Sequence, residues 1–296
     1  MSAQIEAKPV EQTEVDIESV RDQFYKEVNF NNSMEARITK QLNLRPAPTP
    51  SIEGAAAPPA TSADQLWAAL ERAELDQSQA RRGRIVAFAQ SEPAYASFDV
   101  LRTKVLKSLK LNNWTTVAVT SPEPGCGKSV LAVNLAFSMA KLENCRVALL
   151  DLDFRRPQIS AILGPEMARP TADFLEGQSP IEGAFVRYGD NLAVSAGRHG
   201  VKFPAELLQS QSARAAMVEV RERLGANVVL LDLPPVLGCD DVLAFLPNVD
   251  CTLLVIGAGL TSIAQVRRCE QELASETNLL GMVLNKCWHG ESHGYY

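Results

Sequence analysis

The 296-residue sequence lacks several features that would each point to a class of protein. It has no run of about 18 consecutive apolar residues, so no segment is long enough to cross a bilayer as a helix. Its acidic start, "MSAQIEAKPVEQTEVD", lacks the basic and apolar regions of a signal peptide. Its net charge of -6 at pH 7 provides no basic excess for nucleic-acid phosphates. We therefore expect no direct membrane span, no leader and no nucleic-acid partner.

The cysteines also lack a CxxC pair, because the six are scattered at positions 126, 145, 239, 251, 269 and 287. Several lie inside apolar runs, where cysteine behaves as a small hydrophobe, and this favours a reducing, cytoplasmic setting. A zinc site is an alternative for "CWHGESH", in which Cys287, His289 and His293 place three possible ligands within seven residues. Tetrahedral zinc would need a fourth ligand and a fixed backbone.

Composition divides the chain into three parts. Residues 1–85 are predicted to be a flexible extension with short helices and a Pro/Ala-rich linker, "RPAPTPSIEGAAAPPATSA". Within it, "DQLWAALERAEL" predicts one helix over residues 64–75 with an apolar face that could dock on a surface. Residues 86–288 are predicted to fold as one domain, since the chain is 46% hydrophobic and can form a core. Residues 289–296 are predicted to be a flexible tail that ends in two tyrosines.

In the predicted domain, near-continuous apolar strands alternate with helices. This pattern predicts an α/β fold with a doubly wound, mostly parallel sheet and helices on both faces, whose ligands bind at the carboxyl ends of the strands. The predicted strands cover residues 84–89, 115–120, 146–152, 192–196, 227–233, 251–257 and 280–285. The predicted helices cover residues 95–111, 129–142, 204–224, 239–246 and 261–275.

The stretch "TSPEPGCGKSV", residues 120–130, lies between a predicted strand and a predicted helix. A loop that opens onto a helix N-terminus directs free backbone N–H groups and the positive end of the helix dipole at one point, where phosphate binds. We predict a P-loop of the Walker A kind, although Pro122 occupies a position where the strict pattern has glycine. The predicted phosphate-binding residues are Gly125, Cys126, Gly127, Lys128, Ser129 and Val130. A dinucleotide-binding turn, which would need a third glycine, and a plain glycine-rich turn are the alternatives.

Three aspartates follow predicted strands and therefore lie at the same edge as the P-loop. Asp151 and Asp153 end "VALLDLD", on one side of the strand, and Asp232 ends "VVLLD" in the manner of a Walker B carboxylate. They could hold Mg²⁺, order its waters and accept a proton from an attacking hydroxyl. Alternatively, Asp232 is a strand-end cap, and the other two are turn residues or partners of the neighbouring arginines.

These motifs resemble the bacterial tyrosine kinases that serve capsule and exopolysaccharide export. The resemblance covers about residues 90–287 and rests on "TSPEPGCGKS", "LLDLDFRRP" and "LLDLPPVLGCDDV", with weaker similarity in "PAELLQS", "VDCTLLVIGAGLT" and "GMVLNK". It implies a P-loop NTPase that transfers the γ-phosphate of Mg-ATP to tyrosines at its own C-terminus and thereby regulates polymerisation or export of a polysaccharide. Tyr295 and Tyr296, the last two residues, are the implied phosphoacceptors.

The resemblance also implies a role for each matching residue. The backbone of residues 125–129 and Lys128 would bind the β- and γ-phosphates, and Ser129 and Asp232 would bind Mg²⁺. Asp151 or Asp153 would be the proton acceptor or a second group beside the metal. Asn285 would meet the adenine.

The implied partner is a membrane-embedded polysaccharide co-polymerase, a separate activating chain that would recruit this protein from the cytoplasm to the inner face of the membrane. The family also assembles through a helix with an E-x2-R-x2-R pattern, of which Arg102 alone remains, since Ala96 and Asp99 occupy the other positions. This loss weakens the expectation of ring assembly, and a homo-oligomer stays among the expected partners.

Two other functions are compatible with the motifs. A partitioning or positioning ATPase would have a signature lysine where this chain has Glu123, so the charge is reversed. A nucleotide-binding regulator or scaffold of polysaccharide export would bind ATP and transfer little phosphate, in keeping with the reduced assembly pattern and the short tyrosine tail.

Overall fold

The protein is described here from a computed structural model, which describes residues 63–89, 92–164 and 168–287. The predicted linker up to residue 62, the terminal tyrosines and the two histidines of the alternative zinc site lie outside these ranges.

Eight strands and eleven α-helices are described in these ranges. The strands are β1 Glu71–Ala73, β2 Thr116–Thr120, β3 Val147–Asp151, β4 Val186–Tyr188, β5 Leu192–Ser195, β6 Val228–Asp232, β7 Cys251–Gly257 and β8 Asn278–Asn285. The helices are α1 Ala63–Ala69, α2 Gln77–Arg82, α3 Pro93–Asn112, α4 Lys128–Ala140, α5 Ile159–Leu163, α6 Thr171–Leu175, α7 Ile181–Ala184, α8 Pro204–Gln209, α9 Gln211–Arg223, α10 Asp241–Phe245 and α11 Ile263–Glu276.

The strands form one sheet in the order β1-β4-β5-β3-β6-β2-β7-β8. All neighbouring pairs are parallel except β4 and β5, which are antiparallel. The predicted mostly parallel, doubly wound α/β fold is confirmed. The three-residue strands β1 and β4 were not predicted, because segments so short show no periodicity.

Two layers of buried side chains cover the sheet. The first core layer lies between the sheet and helices α1 and α6–α11, and the second lies under α2–α5. The central strands β2, β3, β6 and β7 are buried along their whole length, which explains their continuous apolar sequences. Burial on both faces fixes these strands and so fixes the edge where their carboxyl ends meet.

The predicted strand over residues 84–89 is wrong, because this segment contains a 3-10 turn, Val86–Phe88. The side chain of Asn134 in α4 forms hydrogen bonds with the backbone of this segment, in place of a neighbouring strand. Its side chain accepts from the Val86 N–H at 2.8 Å and donates to the Arg84 carbonyl at 3.0 Å. The segment is therefore held against α4 and takes no part in the sheet.

Residues 63–85 belong to the folded body, which corrects the boundary predicted at residue 85. The exposed fractions of Leu66, Trp67 and Leu70 are 1%, 2% and 3%, and all three lie in the first core layer. The predicted helix over residues 64–75 ends at Ala69, since β1 follows it and pairs with β4. The apolar face predicted for docking is therefore covered by the domain's own core.

One predicted helix is divided in two. Residues 204–224 contain α8 and α9, and Ser210 separates them with an extended backbone, φ -63° and ψ 155°. Its side chain caps α9 by accepting a hydrogen bond from the Ala213 N–H at 3.0 Å. The polar "QSQS" sequence contains the signal for this break.

Replacing Leu66 should test whether α1 contributes to the fold. Leu66→Ala should lower the free energy of unfolding by about 2–5 kcal/mol, because it leaves a cavity in a packed core. Leu111→Ala is the matched control: Leu111 is 72% exposed at the end of α3, and its loss should change stability by less than about 0.5 kcal/mol. Urea unfolding measures both variants. Equal effects would show that α1 is not part of the cooperative unit.

Candidate active site

The P-loop connects β2 to α4, as the sequence predicted. Gly125 and Gly127 have φ angles of 88° and 91°, a region that glycine adopts without strain. Gly127 is the N-cap of α4, so the first backbone N–H groups of that helix point into the loop. Pro122 has no positive φ angle, and its carbonyl accepts from the Leu237 N–H at 3.2 Å. Proline is therefore compatible with this position.

Asn285 contacts the P-loop backbone, and we call this contact the brace of the P-loop. Its side-chain amide donates to the Cys126 carbonyl at 2.9 Å, and a Cβ placed on Gly127 would lie 2.4 Å from that amide nitrogen. The Cys126 side chain is buried, with its Sγ 3.5 Å from Thr261 Oγ1, so only its backbone faces the loop. The structure thus assigns Asn285 a loop-positioning contact that the sequence did not predict; its contact with adenine stays a prediction.

Lys128 joins two of the three predicted aspartates. Its Nζ lies 2.8 Å from Asp153 Oδ2 and 3.3 Å from Asp232 Oδ1, and it donates to Ser129 Oγ at 3.3 Å. All four residues are buried, with exposed fractions of 7% or less. The structure therefore brings together residues from three separate motifs in a single charged cluster.

Asp151 is oriented differently from Asp153. One of its oxygens accepts from the backbone N–H groups of Gln158 and Ile159, each at 2.9 Å, at the beginning of α5. The other accepts from the Asp153 N–H at 3.2 Å. Because these contacts occupy its carboxylate, Asp151 shapes the turn after β3, and Asp153 is the aspartate that contacts Lys128.

Burial and neighbouring charges shift the protonation of the cluster. Burial acts to lower the pKa of Lys128, but the carboxylates of Asp232 and Asp153 outweigh it, and the pKa is raised. Burial raises the pKa of Asp232 despite the opposing effect of Lys128. Burial, together with the nearby Asp232 charge, raises the pKa of Asp151 to about 8. The single lysine therefore does not compensate all three carboxylates.

The donor set fits magnesium bound jointly with phosphates. Asp232 Oδ2 is buried and has no hydrogen-bond partner among the described residues, and the Ser129 hydroxyl is close to the same carboxylate. Carboxylate and hydroxyl oxygens are hard ligands of the kind Mg²⁺ takes. The described ranges contain no group of three or more His, Cys, Asp or Glu side chains that could hold a metal alone. Phosphate oxygens would have to complete the coordination.

Asp241 is a site residue that sequence reasoning missed. Arg155 binds it through two hydrogen bonds, from Nε to Oδ2 at 2.7 Å and from Nη2 to Oδ1 at 2.9 Å. Asp241 is fully buried at the beginning of α10, so this pair ties the loop after β3 to the segment after β6. Arg155 thus pairs with Asp241, not with Asp151 or Asp153. The only sequence signal for Asp241 was the acidic pair in "CDDV", residues 239–242.

Arg102, the remaining residue of the family's assembly pattern, makes contacts inside its own chain. Its Nη1 lies 2.8 Å from Asp99 Oδ1 and donates to the carbonyl and hydroxyl oxygens of Ser138, each at 3.1 Å. These contacts join α3 to α4. Arg102, which matches a residue of the family's assembly pattern, therefore forms its hydrogen bonds within its own chain.

A parallel α/β sheet with a P-loop lysine among strand-end aspartates defines a P-loop NTPase. The family model described as "ParA: NUBPL iron-transfer P-loop NTPase" matches residues 114–293. The chain is also 30% identical over 204 residues to "Tyrosine-protein kinase YwqD" of Bacillus subtilis (strain 168), covering 67% of this chain and 84% of that protein. It is therefore a ParA-type P-loop NTPase and belongs to the bacterial tyrosine-protein kinases within that class.

Further relatives support this assignment. "Putative tyrosine-protein kinase EpsB" of Ralstonia nicotianae is 28% identical over 66% of this chain, which spans only 26% of that longer protein. The "chimerical protein CapA2B2" has the same fold, with a TM-score of 0.63, 21% identity, and coverage of 74% of this chain and 94% of its own. In the described ranges, no helix is long and apolar enough to cross a membrane.

A matched pair of glycine substitutions should test the brace behind the P-loop. Both Gly125→Ala and Gly127→Ala introduce strain at a positive φ angle, but only Gly127→Ala meets an atom within 4 Å, the Asn285 amide. Relief of that clash would break the hydrogen bond to Cys126. Gly127→Ala should therefore weaken nucleotide binding at least about tenfold more than Gly125→Ala, measured by titration with a fluorescent ATP analogue. Equal losses would contradict the brace.

The raised pKa of Asp151 predicts a pH dependence of stability. Between roughly pH 4 and pH 8, the folded chain keeps a proton that the unfolded chain releases, so the free energy of unfolding should fall as the pH rises. Asp151→Asn keeps an acceptor oxygen for α5 but cannot ionise, so its free energy of unfolding should fall less over this range. Urea unfolding at a series of pH values measures both proteins. If the free energies of unfolding of the two proteins differed by the same amount at every pH, the raised pKa of Asp151 would be contradicted.

Proposed function

We propose that this protein is an ATP-dependent tyrosine autokinase that phosphorylates tyrosines at its C-terminus, with Mg²⁺ as cofactor. The observation that carries the proposal is the buried contact of Lys128 with Asp153 and Asp232 at the N-terminus of α4. Its family membership, supported by a relative named as a tyrosine-protein kinase, defines the reaction class.

The residues have separate roles in this reaction. The N–H groups of the P-loop and Lys128 bind the β- and γ-phosphate oxygens. These oxygens compete with the Asp153 and Asp232 carboxylates for the Lys128 ammonium. Ser129 and Asp232 hold Mg²⁺, which offsets phosphate charge when bound. Asp153 is the proposed proton acceptor, because its Oδ2 faces Lys128, whereas both oxygens of Asp151 accept backbone N–H groups. Asp151 instead fixes the turn that carries Asp153.

The transfer is balanced without a further reactant. The tyrosine oxygen forms a bond to the γ-phosphorus, the bond from that phosphorus to the β–γ bridging oxygen breaks, and ADP leaves. The phenolic proton passes to the Asp153 carboxylate. Tyr295 and Tyr296 are the proposed acceptors, in the same chain or in a neighbouring copy.

We further propose that the kinase acts at the cytoplasmic face of a membrane. A separate membrane-embedded co-polymerase would activate it there, and phosphorylation would regulate a capsular or exopolysaccharide. Resemblance to the polysaccharide-export kinases supports this role. The iron transfer named in the family model's description receives no support from the described side chains, which contain no three-ligand group for a metal.

Peptide mass spectrometry after incubation with Mg-ATP should test the proposal. Phosphate should appear on Tyr295 and Tyr296, and it should be absent from Lys128→Met, from Asp153→Asn and from a Tyr295→Phe/Tyr296→Phe double variant. Circular dichroism should show that each variant is folded, since Lys128→Met leaves buried carboxylates unpaired. The incubation is repeated with the cytoplasmic tail of the co-polymerase from the same cell. Nucleotide binding without phosphotyrosine in both incubations would overturn the kinase function.

A regulator or scaffold that binds ATP and transfers little phosphate is the second candidate. The observation favouring it is the engagement of Arg102 with Asp99 and Ser138, because assembly supports transfer between subunits in the resembling family. Binding of the co-polymerase tail by a chain that never becomes phosphorylated would support this function.

A further inference from the structure

The two edges of the sheet differ in a way that bears on self-association. The β1 edge has three residues, two of them charged, and Glu71 forms an ion pair with Arg169 at 2.7 Å. The β8 edge has eight residues, "NLLGMVLN", without a charge or a proline. Natural sheets protect exposed edges with short strands, charges or prolines. The β1 edge has this protection, and β8 does not.

The outer side of β8 offers backbone groups for pairing. Among the described residues, β8 pairs only with β7. The Asn285 carbonyl accepts from the Ala258 N–H at 2.8 Å, so Asn285 directs its backbone groups inward. Because strands alternate, Val283 does the same, while Met282 and Leu284 direct their N–H and C=O groups outward. Leu284 is also 57% exposed.

The β8 sequence is self-complementary when two copies run antiparallel. Val283 would then lie opposite Val283 of the second copy, Met282 opposite Leu284, and Gly281 opposite Asn285. No like charges would meet, because the strand has none. Met282 and Leu284, whose N–H and C=O groups point outward, would form the hydrogen-bonded pairs.

The regular segment of β8 after its bulge places these pairs on matching faces. The register with β7 pairs Met282 with Leu254 and Leu284 with Ile256, and the bulge lies before Gly281. Met282 packs against the first core layer, and Leu254 and Ile256 belong to it, so Met282 and Leu284 share that face. Val283 packs against the second core layer, on the opposite face. A two-fold axis normal to the sheet requires opposed residues to share a face, and these do.

We propose that β8 is a self-association surface, on which a second copy of this chain adds its own β8 antiparallel and continues the sheet across a two-fold axis. The surface is independent of the family's assembly helix, where Arg102 is engaged within the chain. It reaches the P-loop through the Asn285 amide on Cys126, so pairing of the edges would hold that brace in place. The inference does not depend on the kinase reaction.

Sedimentation equilibrium of the full chain over a concentration series tests the surface. The parent protein should form a dimer, and Leu284→Lys should weaken dimerisation at least about tenfold, because it places an unpaired charge in the pairing edge. Leu111→Lys, at an exposed leucine on α3, is the matched control and should dimerise like the parent. Leu284→Pro is a second variant, which removes one outward N–H and leaves the bonds to β7. A monomeric parent, or unchanged dimerisation of both Leu284 variants, would overturn the proposal.

Hydrogen exchange of the full chain identifies what covers the edge. The amides of Met282 and Leu284 should gain protection as the protein concentration rises. Protection at concentrations where sedimentation shows a monomer would show that a segment of the same chain covers β8, and free exchange where sedimentation shows a dimer would show an open edge; either result rejects a second copy.

Discussion

The site depends on one buried charge interaction, that of the Lys128 ammonium with the Asp153 and Asp232 carboxylates. Charges this deeply buried are costly unless they are paired, so the three side chains require one another. Each comes from a different strand-to-helix connection, after β2, β3 and β6, and these strands are neighbours in the sheet. Because these strands are parallel, their carboxyl ends lie at one edge of the sheet, and this brings the three charged side chains within contact distance.

The surroundings of the cluster keep its geometry fixed. Asp151 and its backbone donors shape the turn that carries Asp153, and Arg155 ties this turn to buried Asp241. Asn285 holds the P-loop from β8, on the far side of the loop from these aspartates. The P-loop is thus braced by the strand that we propose as a self-association surface, which gives assembly a physical path to the phosphate-binding loop.

The sequence by itself determined the α/β class, the P-loop and the set of three aspartates, because these depend on local order: strand, loop, helix, and a carboxylate at a strand end. Periodicity also located all six long strands of the sheet. Short segments were predicted less well. Residues 84–89 have a strand-like composition, yet Asn134 forms hydrogen bonds with their backbone, and β1 lies inside a segment that was predicted as one helix.

Only the tertiary structure decided which groups meet across the chain. It gave Asp153 and Asp151 different contacts. It also paired Arg155 with Asp241 across 86 residues and brought Asn285 to the Cys126 carbonyl across 159 residues. It also turned Arg102 towards Ser138 and left the uncharged β8 at an edge. Sequence patterns report the periodicity of a single element, whereas these contacts depend on the order of strands in the sheet, which is set by packing between distant segments.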